Sequence, residues 1–253
     1  MEITLPTVKS KPENDLSAYS ILIYGQEKIG KTTWTSHFPK PIHLMFEPGG
    51  KALELYKEDI KDWDHYKKVL KALETDKFFK NVVFDTADVA YVMCDRYTCA
   101  VNGITDLEDM EYGKGWRKAR LEFTQGVQRL LKTGKGVIFT SHAADKQFKS
   151  RGGGTVDRTV PTMSKQAREI LEPVVDIWAY YAYTPGGGRE FIIQGSDEIA
   201  AGHRVDGHFQ GVSRIPAGKS SKEAYENFLA AFENRLTVPV KSVGMKLKLG
   251  GKK

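Results

Sequence analysis

Apolar residues along the chain fall into short continuous runs, separated by longer amphipathic stretches. The first run, Ser20-Ile21-Leu22-Ile23-Tyr24, stops at Gly25 and has the length and β-branched content of a buried strand. Ile42-His43-Leu44-Met45-Phe46, Asn81-Val82-Val83-Phe84-Asp85 and Val137-Ile138-Phe139-Thr140 repeat the pattern. Between them the spacing turns helical. Lys31 to His37 opens a helix that Pro39 and Pro41 stop. Trp63, Tyr66, Val69, Leu70 and Leu73 mark a second helix, and residues 87–101 a third. Residues 102–113 form a loop rich in acids and glycine. Trp116 to Leu131 is an amphipathic helix with Leu121, Val127, Leu130 and Leu131 on one side.

Further along, Ser164 to Leu171 reads as helix. Val174 to Tyr183 and Glu190 to Ile193 flank Pro185-Gly186-Gly187-Gly188 as a hairpin. Ser221 to Leu236 reads as a last helix with Ser221 at its cap. The alternation predicts an α/β fold: a mostly parallel central sheet covered by helices, with a C-terminal antiparallel hairpin. One domain, 19–236, is expected between a flexible N-terminal arm, 1–18, and a basic, disordered tail, 237–253. In such sheets ligands gather beyond the carboxyl ends of the strands, so the residues that follow each strand carry the chemistry.

After the first strand stands Gly25-Gln26-Glu27-Lys28-Ile29-Gly30-Lys31-Thr32, the Walker A spacing. Its glycines let the backbone wrap phosphates, and the loop amides donate to the anion. The expected nucleotide contacts run from Gly25 to Thr32, with Thr33 the next helical residue. Lys31 should reach the β- and γ-phosphates of ATP, and the Thr32 hydroxyl should ligate Mg²⁺. Asp85 closes an apolar strand in the Walker B manner and is the second expected Mg²⁺ ligand; the alternative is a strand-end aspartate capping the next helix. Glu47, ending the strand after the P-loop helix, is the candidate to activate water, against a plain turn role before Pro48. His142, ending the fourth strand, is placed to sense the γ-phosphate, or is satisfied by local hydrogen bonds.

Beyond His142 the chain becomes basic and glycine-rich. Lys146, Lys149, Arg151 and Arg158 can neutralise phosphates, and Phe148 can stack on bases. The alternative is a solvated lid. Lys114, Arg117, Lys118 and Arg120 open the amphipathic helix and offer further contacts, or form its solvated face. The net charge of +6 fits a polyanionic partner as well as it fits a lysine-rich surface. Cys94 and Cys99 lack metal-binding spacing and read as reduced thiols. No apolar run reaches membrane-spanning length and no signal segment opens the chain, so a cytoplasmic protein without membrane contact is expected.

The stretches "LIYGQEKIGKTT", "IHLMFEPGG", "NVVFDT", "GVIFTSHA" and "SKQAREILEPVVDIWAYYAY", in that order over roughly residues 20–200, resemble the RecA-like P-loop ATPase core. They are similar above all to the phage-encoded Sak-type single-strand annealing and recombination ATPases. The resemblance implies a catalytic glutamate at Glu47 and a γ-phosphate sensor at His142, where the larger recombinases commonly carry glutamine. It places the two DNA-binding loops at 102–113 and 143–162. It also implies a homo-oligomer, filament or ring, with ATP between subunits, and a neighbour's cation acting on the γ-phosphate. Arg204 is the first choice for that cation and Arg189 the second. The implied function is Mg-ATP-dependent single-stranded-DNA binding that promotes annealing or homologous recombination, in the host cytoplasm if phage-encoded. A single-strand-binding or other recombination protein would be a further partner. Two other readings stay open: a P-loop kinase of a small molecule, and a nucleotide-gated binding protein with little turnover.

Overall fold

The computed structural model describes residues 4–149 and 153–236. In chain order the elements are β1 (Ser20–Gly25), α1 (Lys31–Thr35), β2 (Pro41–Met45), β3 (Tyr56–Asp59), α2 (Trp63–Thr75), β4 (Asn81–Asp85), α3 (Ala87–Asn102) and α4 (Lys114–Leu131). There follow β5 (Gly136–Lys149), β6 (Thr155–Pro161), α5 (Lys165–Leu171), β7 (Ile177–Tyr183), β8 (Arg189–Ile192), β9 (Gly202–His203), β10 (Arg214–Pro216) and α6 (Ser221–Phe232). The sheet runs β10-β8-β7-β1-β5-β4-β2-β3, and all neighbours from β7 to β3 are parallel. β8 pairs antiparallel with β7, as the expected C-terminal hairpin requires, and β10, absent from the sequence expectations, pairs antiparallel with β8 at the edge.

Alternation along the strands explains the layers. Leu22, Val82, Phe84, Val137 and Phe139 face one core, with Trp63, Tyr66, Tyr91 and Phe123 of α2, α3 and α4. Ile21, Ile23, Val83 and Ile138 face the other, with Trp34 of α1 and Phe228 and Phe232 of α6. Both faces of the sheet are therefore dry, which is why these strands read as unbroken apolar runs. Phe84 is fully buried against Phe46, Tyr66 and Phe139 at centroid distances of 4.3, 5.4 and 5.4 Å. Phe84→Ala should lower stability by about 3–5 kcal/mol, read from the midpoint of denaturant unfolding.

Several sequence expectations need correction. The arm does not extend to residue 18: Leu16–Ala18 forms a 3₁₀ turn, and Leu16 is 1% exposed in the second core. The α1 helix stops at Thr35, two residues early. The acidic loop 102–113 contains two 3₁₀ turns, Leu107–Asp109 and Glu111–Gly113. The last helix ends at Phe232, and its cap is Ser220, whose side chain accepts from Glu223 N. The edge strand β3 has no apolar alternation to announce it and forms by pairing with β2. Within the expected loop 143–162, residues 143–149 of β5 pair with 155–161 of β6, as described below. The basic tail 237–253 lies outside the described residues. Among the described residues no helix is long and apolar enough to cross a membrane, and both cysteines are free thiols.

Candidate functional site

β1 delivers Gly25 to the carboxyl edge of the sheet beside β5 and β7. A Cβ on Gly25 would meet Tyr181 O at 2.4 Å, so the close approach of β7 demands glycine here. The loop then turns over the buried Ile29, and Gly30 takes φ 107°, a left-handed conformation open to glycine. Gln26, Glu27 and Lys28 stay exposed at the rim. Lys31 is 6% exposed. Its Nζ donates to Gly25 O at 2.9 Å and Gln26 O at 3.0 Å, and lies 3.3 Å from His142 Nδ1. Burial lowers its pKa, while Asp85, Asp88 and Glu47 act in the opposite direction. To reach a phosphate, Lys31 exchanges neutral acceptors for charged ones, which form the stronger hydrogen bonds.

Thr32 and Asp85, the two expected Mg²⁺ ligands, are neighbours. Thr32 Oγ1 donates to Asp85 Oδ2 at 2.7 Å, and Thr140 Oγ1 donates to Asp85 Oδ1 at 2.5 Å. A hydroxyl and a carboxylate side by side form a hard-oxygen donor set suited to Mg²⁺. Among the described residues no group of three or more His, Cys, Asp or Glu forms a protein cage for a metal. That fits an ion held by one or two protein ligands together with substrate phosphates. Thr32 and Asp85 would hold Mg²⁺, which when bound neutralises charge on the β- and γ-phosphates.

Glu47 and His142 also come together. His142 Nε2 lies 3.3 Å from Glu47 Oε1. With its proton on Nε2, the imidazole donates to Glu47 and accepts from Lys31 through Nδ1, which satisfies both contacts. The hydrogen bond from His142 holds the Glu47 carboxyl below its ordinary pKa, against burial. The same bond raises His142, against burial and the Lys31 charge. The ionic form of the pair belongs to the window between a lowered carboxylate and a raised imidazole, and in that form Nδ1 carries a proton and no longer accepts from Lys31. That form is lost as pH falls through the first and as pH rises through the second. A cleft of about 860 Å³ covers Lys28, Thr33, Glu47, Lys51, Asp85 and His142.

β5 continues beyond His142 without a break and pairs with β6 from Ala143↔Pro161 to Lys149↔Thr155. Alternation sorts the predicted nucleic-acid contacts. Lys146 and Phe148 share a face with Arg158 and Val156, their direct partners. Lys149 lies on the opposite face, with Asp145 and Asp157. Arg151 lies outside the described residues. Thr159 forms a bridge with Ile199, and Tyr24 Oη reaches Thr159 O at 3.0 Å and Ala200 O at 2.7 Å. These bonds, distant in sequence, turn an expected flexible loop into an ordered ribbon.

The two arginines separate. Arg204 lies at the amino-terminal edge of the sheet, away from the P-loop. It donates to Asp176 Oδ1, Pro173 O and Val174 O, each at 2.9 Å, so its guanidinium serves its own chain. Arg189, which opens β8, donates to Ile29 O at 3.0 Å and lies against the P-loop of its own chain. Thr140 was not anticipated. Its signal was present, a hydroxyl ending the apolar β5 run, but the Asp85 partner became evident only with the strand order.

Among known proteins, the AAA_24 family, described as an AAA domain, matches residues 17–205. The SPbeta prophage-derived uncharacterized protein YorG of Bacillus subtilis (strain 168) is 28% identical over 163 residues, 62% of this chain. The chain spans 47% of that protein's length, about half. A KaiC-like protein of the archaeon Pyrococcus horikoshii OT3 aligns over 81% of this chain and 88% of its own, with a TM-score of 0.44 and 11% identity. With its P-loop, its Thr32–Asp85 pair and its parallel sheet inside the matched span, the chain belongs to the AAA domain family.

Proposed function

We propose that this protein is a RecA-like P-loop ATPase that binds single-stranded DNA in an ATP-dependent manner and promotes annealing or homologous recombination. The observation that carries the reading is the continuity of β5. The strand that presents His142 to Lys31 and Glu47 runs on to present Lys146 and Phe148. Lys146 directly faces Arg158 across the ribbon. Like charges opposite one another repel, and a phosphate backbone lying on this face relieves the repulsion. Phe148, on the same face, supplies a stacking surface for a base. Hydrolysis would alter the contacts of His142 and, through the strand, the ribbon. Function as a filament or ring, with ATP between subunits and a partner protein engaged in recombination, belongs to the same proposal. The prophage origin of the Bacillus relative supports a phage-encoded protein working in the host cytoplasm.

The test is ATP turnover with and without single-stranded DNA over a salt series. Turnover should rise with DNA, and binding should weaken steeply with salt. Lys146→Ala should reduce the slope of log affinity against log salt by about 0.7, as loss of one single-strand phosphate contact requires. Absence of both DNA binding at low salt and stimulation sinks the reading. Turnover that responds only to a small-molecule acceptor would point to phosphoryl transfer instead.

A further inference from the structure

We propose that Asp88 is a positioning residue that ties both ends of the β5–β6 ribbon to the nucleotide site, so that nucleotide acts on the ribbon through it; the inference deepens, and rests on, the function proposed above. Asp88 stands in the first turn of α3, three residues after Asp85. Its Oδ1 accepts from Ser141 Oγ at 3.1 Å and from Thr162 Oγ1. Ser141 is the last fully buried residue of β5 before the ribbon departs. Thr162 follows the last residue of β6, and its N–H donates to His142 O at 2.9 Å. One carboxylate oxygen thus gathers the outgoing and returning strands at the root.

The other oxygen of Asp88 is buried and has no partner among the described residues. Buried polar atoms without a partner are exceptions in native proteins and need a reason. The surroundings supply one. The charges of Asp85, Asp88 and Glu47 all bear on the Lys31 ammonium. When phosphate oxygens take Lys31, Asp88 loses part of that attraction and gains like charge nearby. Among the described residues its directional side-chain bonds are those to Ser141 and Thr162. Hydrogen bonds of this kind weaken steeply when bent, so a small turn of the carboxylate changes the root from tied to loosened. On the other side, the hydrogen bond of Tyr24 Oη to Thr159 O keeps β6 against the P-loop strand. The root is therefore held at one side and adjustable at the other.

Thr162 is exposed and is hydrogen-bonded to Asp88 and His142 rather than to Lys31, Thr32, Asp85 or Glu47, so Thr162→Val can remove the tie while the fold and basal turnover remain. The experiment is amide hydrogen exchange across 143–161 with and without a non-hydrolysable ATP analogue, alongside nucleotide affinity and turnover with and without single-stranded DNA. In the wild type, nucleotide should change exchange of the ribbon by roughly fivefold or more. Thr162→Val should bring that change close to one at unchanged nucleotide affinity and basal turnover. Thr162→Ser, which keeps the hydroxyl, should restore it. A ribbon that responds to nucleotide equally in wild type and Thr162→Val overturns the proposal, as does a wild-type ribbon indifferent to nucleotide. If single-stranded DNA leaves the wild type unaffected while the exchange response still depends on Thr162, the DNA reading fails and the role of Asp88 stands.

Discussion

Lys31→Ala should lower ATP turnover by about 10²–10³-fold, the loss expected when one preorganised donor to the transition-state charge is removed. The structure argues that this effect is chemical and not a loss of fold. Lys31 is buried, yet its ammonium bonds to two loop carbonyls and lies against one histidine, and among the described residues it makes no ion pair within 4.0 Å. Gly25 and Gly30 shape the loop through their own backbone requirements, which the substitution leaves untouched. Removing a buried amine also leaves the Gly25 and Gln26 carbonyls without this donor, a local penalty of about 1–3 kcal/mol for each one left unsatisfied. Turnover measured together with binding of a fluorescent ATP analogue should show both functions reduced while thermal unfolding remains cooperative. Unchanged turnover would remove Lys31 from the phosphate site.

Glu47→Gln should slow hydrolysis by about 10²–10⁴-fold and leave nucleotide binding nearly intact. Glutamine preserves the shape and the oxygen that faces His142 Nε2, so the contact at the strand ends persists. It removes the basic oxygen able to take a proton from water. Single-turnover hydrolysis beside equilibrium binding separates the two effects. The wild-type pH profile offers an independent check. The hydrogen bond from His142 holds Glu47 below the usual carboxylate range. The acid limb of kcat/KM should therefore fall at lower pH than for an ordinary glutamate, and His142→Ala should move it upward. Hydrolysis by Glu47→Gln within a few-fold of wild type would assign the 47 position to the turn alone.

The P-loop was legible because its demands are local. Two glycines, a lysine and a hydroxyl at fixed spacing between a strand and a helix describe one continuous piece of backbone, and residues 25–33 fold as that spacing requires. The apolar runs of β1, β2, β4 and β5 were legible for a related reason. Both faces of these strands are buried, so every position along them is selected for apolarity. β3 was not, since Tyr56-Lys57-Glu58-Asp59 lies at an edge and is a strand only by virtue of its bonds to β2. Arg204 shows the same limit for a side chain. An exposed arginine after a hairpin looks available until Asp176 and two carbonyls are seen to hold it.

The sequence by itself determined the α/β class, the parallel core, the phosphate loop and the strand-end positions of Glu47, Asp85 and His142. Each depends on periodicity or on neighbours in the chain, and short-range sterics and burial suffice to specify it. The tertiary structure alone decided which of those ends meet. Lys31 and His142 are separated by 111 residues, and Asp88 and Thr162 by 74, and only the order β1-β5-β4-β2 makes them neighbours. It also decided that the basic stretch after His142 is a ribbon with Lys146, Phe148 and Arg158 on one face. Strand pairing draws its free energy from partners far along the chain, and Tyr24, Glu198 and Ile199, which hold that ribbon, carry no local signal of doing so.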